Sequence, residues 1–164
     1  MKRKEIIDIF NYLDKIKMSQ LKDKDVRSRL MHIYVGLRDA ALKVEAENRT
    51  ITEQLLKGME DRREEKDALL RRLQRAPRDE QEGIKSIIFN EFYDVLMAED
   101  DCLHEIEKSL KYDMDVEVEK IDSIAFVNAL DDANIEYTGR TLATLAPILD
   151  FTDLKELHHA KSEE

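Results

Sequence analysis

The sequence has few of the residues that form loops, disulfide bonds and large aromatic cores. Its 164 residues include one cysteine, two prolines, four glycines and no tryptophan. So few glycines and prolines argue against a loop-rich or many-stranded fold. The single cysteine, Cys102, excludes an internal disulfide and fits a reducing compartment. The composition therefore favours a helical protein without covalent cross-links.

A long apolar run is also lacking. The N-terminus is basic, but no uninterrupted apolar stretch follows it, so we expect no secretion signal. No segment approaches the ~20 consecutive apolar residues that span a bilayer. These absences predict a protein of the cytoplasm that makes no membrane contact.

Charged residues, in contrast, are abundant. They make up 39% of the chain, against roughly 25% in an ordinary globular domain. This excess suits thin helical bundles, in which each helix has a narrow buried stripe and a wide solvated face. The net charge is −10, and residues 94–164 carry 19 acidic and 6 basic side chains. Such an acidic half argues against a nucleic-acid-binding surface there.

Apolar spacing predicts three helices in the first two thirds of the chain, at 3–17, about 25–74 and 79–111. The second contains the strongest pattern, a heptad seam with alternating steps of about four and three. The seam consists of Val26, Leu30, Ile33, Leu37, Ala40 or Ala41, Val44, Asn48, Ile51 and Leu55. Gly58 and the charged stretch after it leave open whether 25–74 is one helix. Pro77 ends this region, and Asp79 is the predicted cap of the third helix.

After Tyr112 the pattern changes from helical spacing to strict alternation. Residues 114–119 place three apolar side chains between acidic ones, which predicts a half-buried strand. A strand needs a partner, and residues 135–137 are the only local candidate, unless the partner belongs to another chain. Residues 122–131 and 139–149 are predicted to be short helices, capped by Asp122 and Thr138.

The predicted fold class is therefore mainly α: a long antiparallel helical hairpin or coiled-coil bundle, a short β-strand and a small C-terminal helical module. The predicted domains are residues 1–112, the hairpin, and residues 113–164, the module. We expect the heptad seam to pack against the third helix, at Ile84 to Leu110, or against a second copy of the chain.

Three polar groups could carry chemistry, but each has a simpler structural interpretation. Asn48 lies on the heptad seam, where a polar residue usually fixes register or oligomeric state. Asp101 and His104 have the i, i+3 spacing of bundle metal sites, but a second such pair is missing, which favours a surface pair. Cys102 lacks a nearby base, so we expect a core residue rather than a nucleophile.

One segment resembles a metal-binding motif of an enzyme family. Glu91 and Asp94 resemble the second metal-binding motif of the all-helical nucleotide pyrophosphohydrolases, whose Glu-x-x-Asp pair holds magnesium. Glu64 and Asp67 would supply the upstream acids, although Ala68 stands where that family has a third carboxylate. This resemblance implies a metal-dependent hydrolase as an alternative function, with magnesium held by these four residues.

A basic run offers a second alternative. It consists of Arg71, Arg72, Arg75 and Arg78. These side chains could contact phosphates in a nucleic-acid-associated factor, or they could simply lie at a solvated helix end, where cations favour the dipole. The second interpretation is the simpler one, because basic side chains are common in the last turn of a helix.

From the third helix onward, the chain resembles a group of small phage and prophage proteins of uncharacterised function. In that group a helical hairpin is followed by a Leu…Val-x-Val-x-Lys-Ile segment and a short final helix. The matching residues are Leu110, Val116 to Ile121, Leu142, Leu145 and Leu149, and the opening of the chain, Lys4 to Ile7, also suits the group. The resemblance implies a phage-encoded accessory or assembly protein, in the host cytoplasm or the virion, and assigns no functional residue.

Together these patterns favour a protein that interacts or assembles rather than one that catalyses a reaction. We expect the partner to be another protein or the chain itself, in a homo-oligomer. The reason is that one thin hairpin cannot cover both the aromatic side chains Phe89, Phe92 and Tyr93 and the flank at Ile87 and Leu96. The sequence predicts neither a cofactor nor a membrane partner.

Overall fold

The structure, a computed structural model, describes residues 1–153 and is mainly helical, which confirms the predicted fold class. Residues 154–164, the end of the predicted C-terminal module, lie outside the described residues. Seven α-helices, two 3-10 turns and a two-stranded sheet make up the described part. Among residues 1–153, no helix combines the length and the apolar character needed to cross a membrane.

The chain packs as two compact units. Unit 1 contains residues 1–44 together with the chain from Lys111 onward, and unit 2 is the continuous stretch Glu45–Leu110. The predicted division into residues 1–112 and 113–164 would separate the first helix from the C-terminal helices that share its core. The long antiparallel hairpin with a coiled-coil seam stays a prediction.

Unit 1 begins with α1, Arg3–Lys15, followed by a 3-10 turn at Met18–Gln20 and then α2, Lys24–Leu55, whose last part belongs to unit 2. The carboxylate of Glu5 accepts a hydrogen bond from the Lys2 amide at 2.8 Å and so satisfies one free donor at the start of α1. Asp23 does the same for α2, because its Oδ1 accepts from the amides of Asp25 and Val26 at 2.9 and 3.1 Å.

The core of unit 1 joins both ends of the sequence. It consists of apolar side chains of α1, of the first part of α2 and of the C-terminal segment. Its largest fully buried members include Ile6, Ile9, Leu13, Leu30, Ile33, Leu37, Phe126, Leu130, Leu145 and Ile148. The seam from Val26 to Ala41 is therefore buried in this core. The sequence analysis expected it to pack against the Ile84–Leu110 stripe or against a second copy of the chain.

The predicted strand at 114–119 is wrong as a strand, although its alternation has a structural basis. Asp113, just before this segment, forms an isolated bridge with Lys2. Residues 114–119 themselves form no ladder in the described structure. Met114, Val116 and Val118 are half-buried against the core, whereas the acidic residues between them are exposed. The alternation therefore arises because an extended chain lies with one side on an apolar surface.

The short sheet lies further along the chain. Strand β1, Ile121–Asp122, pairs in parallel with β2, Leu149–Asp150. Residues 135–137, the predicted local partner of a strand at 114–119, form no strand. Between them lie α6, Ser123–Asp132, and α7, Gly139–Leu145. Both predicted caps are confirmed: Asp122 accepts from the Ala125 amide at 2.7 Å, and Thr138 accepts from the Thr141 amide at 3.2 Å.

The second predicted short helix ends earlier than expected. The apolar spacing predicts a helix as far as residue 149, but α7 ends at Leu145 and a 3-10 turn, Ala146–Ile148, follows it. Pro147 lies within this turn, where the missing amide and the fixed φ of proline end the α-helical hydrogen-bond pattern.

Unit 2 contains the end of α2 and three further helices: α3, Glu60–Arg75, α4, Arg78–Glu91, and α5, Tyr93–Leu110. The chain between α2 and α3 turns at Gly58, whose φ of +77° lies in the left-handed region that glycine adopts readily. Residues 25–74 are therefore two helices rather than one. The third predicted helix is likewise divided, at Phe92.

The predicted cap at Asp79 is wrong. The N-cap of α4 is Pro77, and Asp79 lies in the first helical turn, where its negative charge favours the helix dipole. The Pro77 carbonyl instead accepts from the amides of Glu80 and Gln81 at 3.0 and 3.2 Å. α3 and α4 pack against each other across this turn.

Candidate interaction surface

An ion-pair cluster connects α3 to α5 within unit 2. Lys66 is only 4% exposed, and its ammonium group pairs with the Glu99 carboxylate and, at 3.1 Å, with Asp67. The other Glu99 oxygen accepts a hydrogen bond from Arg63 Nε at 3.1 Å. Glu99 lies four residues from both Val95 and Leu103, on the apolar stripe that runs from Ile84 to Leu110 in the third predicted helix. A carboxylate at such a position needs a cation facing it.

The charge of Lys66 is maintained by its partners. Burial alone lowers the pKa of this amine, but the hydrogen bonds to Glu99 and Asp67 outweigh that effect and leave the pKa above its ordinary value. Lys66 is therefore a buried, charged and fully engaged side chain. It contributes to the packing of α3 against α5 rather than to a binding site.

Arg62 stabilises the break between α4 and α5. Its Nη2 donates to the Glu91 carbonyl oxygen at 2.6 Å, its Nη1 pairs with the Asp94 carboxylate, and its guanidinium carbon lies 5.5 Å from the centroid of the Phe92 ring. The hydrogen bond from Arg62 holds the pKa of Asp94 below its usual range. One side chain thus binds the free carbonyl, the adjacent carboxylate and the aromatic ring at the break.

These contacts bear on the four acids proposed for magnesium. Asp94 is paired with Arg62, Asp67 with Lys66, and Glu64 is exposed on α3. Within residues 1–153, no group of three or more His, Cys, Asp or Glu side chains is placed to hold a metal ion. The structure therefore does not bring Glu64, Asp67, Glu91 and Asp94 together as the hydrolase alternative requires.

The most prominent feature of unit 2 is a row of exposed apolar side chains, which we call the outer row: Phe89, Tyr93 and Met97. Their exposed fractions are 63%, 52% and 44%. The rings of Phe89 and Tyr93 touch, with centroids 5.8 Å apart. Phe92, which lies between these two residues in sequence, is instead buried beneath Arg62.

A groove extends the outer row towards α3. Its volume is about 490 Å³, and its apolar walls come from both α3 and α4. The apolar residues that line it are Leu70, Leu73, Ile88 and Phe89. Because Phe89 belongs to both the groove and the outer row, the two form one continuous apolar surface.

The basic run lies at the end of α3 and the start of α4. All four arginines are exposed, and Arg72 and Arg75 occupy the last turn of α3. Arg72 lies 3.7 Å from the Glu80 carboxylate across the turn. This arrangement agrees with a solvated helix end, where basic side chains interact favourably with the dipole.

Asn48, Thr52 and Cys102 form a small polar group in unit 2. The Thr52 hydroxyl donates to the Asn48 carbonyl at 3.0 Å, and the Cys102 sulfur lies 3.6 Å from the Thr52 hydroxyl. Cys102 is buried, as expected for a core residue. The side-chain oxygen of Asn48 is buried with no hydrogen-bond partner among the described residues.

His104 contacts a different acid from the one predicted. Its Nδ1 lies 2.9 Å from the backbone oxygen of Asp100 and 3.5 Å from the Asp100 carboxylate, so the partner is Asp100 rather than Asp101. The hydrogen bond to the Asp100 carbonyl raises the pKa of His104, and the negative charges of Asp100, Glu107 and Asp101 raise it further.

The contribution of His104 to stability should therefore depend on pH. Because the pKa is raised in the folded chain, this contribution is complete below the ordinary value of 6.5 and is lost as the pH rises through the folded-state value. Thermal unfolding of the wild type and of His104→Gln between pH 5 and 9 should show a difference that shrinks with rising pH. A difference that grows with pH would contradict the assignment.

Unit 1 has an apolar groove of its own, of about 330 Å³, between the end of α1 and α2. Met18, Met31 and Val35 are among its walls. The Tyr34 hydroxyl donates to the Asp14 carboxylate at 2.8 Å, and the Tyr34 ring stacks on Phe10 at 4.8 Å. The hydrogen bond to Asp14 raises the pKa of Tyr34, so this side chain is engaged within unit 1.

Comparison with protein-family models, with curated proteins and with solved structures found no match to this chain.

Proposed function

We propose that this protein is a non-catalytic interaction or assembly protein that forms a homo-oligomer through the outer row and its adjoining groove. The observation that carries the proposal is the exposure of Phe89, Tyr93 and Met97 on one face of α4 and α5. An aromatic pair and a methionine in one exposed cluster are typical of an interaction site, because aromatic residues and methionine are enriched at interfaces.

The polar groups of unit 2 support the same proposal. The carboxylates and cations between α3 and α5 are engaged with each other, as the pairs Lys66–Glu99 and Arg62–Asp94 illustrate. A catalytic site needs polar groups directed at a substrate, whereas these groups are directed at one another. The resemblance to small phage and prophage proteins suggests an accessory or assembly role of this kind.

The mass of the protein in solution tests the proposal. The wild type should sediment as a dimer or larger species of the 19.2 kDa chain, with a mass that falls on dilution. The double variant Phe89→Ser/Tyr93→Ser should sediment as a monomer, because it removes the two largest apolar side chains from the outer row. Analytical ultracentrifugation over a hundredfold concentration range measures both.

Tyr112→Ser provides the matched control. Tyr112 is 56% exposed, close to the value for Tyr93, but it belongs to unit 1. This variant should retain the mass of the wild type. A wild type that is monomeric at every concentration would overturn the proposal, as would a double variant that still associates while circular dichroism shows it to be folded.

A further inference from the structure

One face of α3 carries exposed charges that form no ion pair among residues 1–153. The other cations of this helix are paired within the chain, as Lys66 is with Glu99 and Arg62 with Asp94. Five charged residues of α3 are exposed and have no such partner in the described structure: Asp61, Glu64, Glu65, Arg71 and Arg75.

These five residues surround Ala68, which is itself exposed. At ~100° per residue, each of them lies within about 60° of Ala68 around the helix axis. Four of them border one shallow depression of about 440 Å³ together with Ala68, namely Asp61, Glu64, Glu65 and Arg71. We call the surface formed by Ala68, the five unpaired residues and the neighbouring Arg72 the α3 face.

The charges of the α3 face are separated by sign, because the acids precede Ala68 and the arginines follow it. Asp61 and Glu65 are four residues apart, and the same spacing separates Arg71 from Arg75. Like charges four apart destabilise a single helix. The helix dipole accounts for the sign at each end of α3. A second helix with the opposite order of charges would remove the repulsion within each set.

We infer that the α3 faces of two chains pack against each other in an antiparallel direction, with a two-fold axis at Ala68. This contact goes beyond the outer row and shares no residue with it. It forms three pairs of opposite charge, each of which the symmetry repeats. The pairs are Asp61 with Arg75 of the partner subunit, Glu64 with Arg71 of the partner subunit, and Glu65 with Arg72 of the partner subunit.

The distances from Ala68 set this register. Asp61 and Arg75 are each seven residues from Ala68. In the other two pairs the members are four and three residues from Ala68, a mismatch of only about 1.5 Å along the helix axis. The members of each of these two pairs also lie on the same side of Ala68 around the helix. Every acid of the face therefore lies opposite an arginine when the helices run antiparallel.

The direction of packing follows from the same charges. A parallel arrangement about a two-fold axis would place each charge beside its own copy, and like charges in contact disfavour association. Ala68, at the centre, carries a single methyl group, and small side chains at a helix contact allow a short distance between the axes. The antiparallel arrangement is therefore favoured by both charge and shape.

The α3 contact is weaker than one formed by apolar side chains, because exposed ion pairs contribute little individually. We therefore expect it to be populated at higher protein concentrations than the contact between outer rows. A disulfide that traps the contact is for this reason a more suitable measurement than the mass in solution.

Disulfide trapping on the full chain tests the contact. In Ala68→Cys the two-fold axis brings the two thiols together, at the short separation that a disulfide requires. Ala46→Cys is the matched control, since Ala46 is also an exposed alanine on a helix of unit 2. With oxidised glutathione, Ala68→Cys should form a linked dimer roughly tenfold faster than Ala46→Cys, because the contact raises the effective concentration of the thiols. Non-reducing electrophoresis measures both rates, and the native Cys102 is buried.

Charge exchange on the Ala68→Cys background tests the register. Asp61→Arg/Glu64→Arg makes the α3 face predominantly basic, and Arg71→Glu/Arg75→Glu makes it predominantly acidic. Each variant alone should cross-link roughly tenfold more slowly than Ala68→Cys, because like charges then meet. An equimolar mixture of the two should regain a rate close to that of Ala68→Cys, since every charge of one face then meets its opposite. Mass spectrometry should identify the product as the mixed dimer.

The outcomes separate this inference from the proposed function. If Ala68→Cys cross-links no faster than Ala46→Cys, or if the mixture stays as slow as its components, the α3 contact is wrong and the outer row is unaffected. Rapid cross-linking of Ala68→Cys that persists with Phe89→Ser/Tyr93→Ser supports the α3 contact, whether or not the outer row associates. Loss of cross-linking in that background would show that the outer row alone brings the chains together, and would overturn the α3 contact.

Discussion

Phe126→Ala should lower the free energy of unfolding by about 3–5 kcal/mol, the range typical of removing a fully buried aromatic side chain. Phe126 is 0% exposed and lies in the core that α1, α2 and the C-terminal helices share. The substitution leaves a cavity in that core which the surrounding helices only partly fill. Urea denaturation of the wild type and the variant, followed by circular dichroism, measures the difference.

The location of the loss is as informative as its size. Because the core joins both ends of the sequence, the amides of α1 should lose hydrogen-exchange protection in Phe126→Ala although α1 is far away in sequence. Tyr112→Ala, an exposed substitution in the same unit, should change stability by less than about 0.5 kcal/mol. Unchanged protection of α1 in a destabilised Phe126 variant would contradict the shared core.

Glu99→Gln should destabilise the chain by about 3 kcal/mol, the lower part of the range for removing one partner of a buried ion pair. The substitution leaves the buried ammonium of Lys66 with Asp67 as its only carboxylate partner among the contacts described. It also removes the charge that Arg63 contacts. The midpoint of urea denaturation reports the change.

Replacing both partners should reverse most of that loss. In Lys66→Met/Glu99→Leu the buried charge is absent, and apolar side chains of similar volume can fill its place, so stability should return close to that of the wild type. A double-mutant cycle separates the pair energy from the single effects. If the double variant were less stable than Glu99→Gln, the Lys66–Glu99 pair would not be the cause of the single-variant effect.

The sequence predicts the helices well because their signals are local. The apolar spacing locates α1, the first part of α2 and the short helices, and residue type alone identifies the caps Asp122 and Thr138. Each of these features depends on residues within one or two turns of each other. Gly58 also marks the possible interruption of the second helix, whereas the break at Phe92 has no such signal, because the apolar spacing continues across it.

The sequence does not predict which helices and strands pack against each other. An apolar stripe shows that a face is buried but not what buries it, so the sequence pattern does not identify α1 and the C-terminal segment as neighbours of the seam from Val26 to Ala41. The two-residue strands β1 and β2 are too short to produce any periodic pattern. The alternation at 114–119 is real, but it reflects contact with a core rather than a ladder of hydrogen bonds.

The interaction surface is only partly predictable. The sequence predicts that one hairpin cannot cover Phe89, Phe92 and Tyr93 together with its other flank, and Phe89 and Tyr93 are indeed exposed. Phe92 is buried, with Arg62 over its ring. The sequence contains one indication of the buried Lys66, because the carboxylate of Glu99 on the apolar stripe requires a facing cation. Which basic residue of α3 supplies that cation depends on the helix geometry, which the sequence does not give.

The sharing of unit 1 between the two ends of the chain has a consequence for folding during synthesis. Unit 2 is one continuous stretch, so all its contacts can form as soon as Leu110 has left the ribosome. The apolar face of α1 emerges first but has to wait for Phe126 and Leu145, across a loop that includes the whole of unit 2. The core of unit 1 can therefore be completed only after the C-terminal helices have been synthesised, later than unit 2, although α1 emerges first.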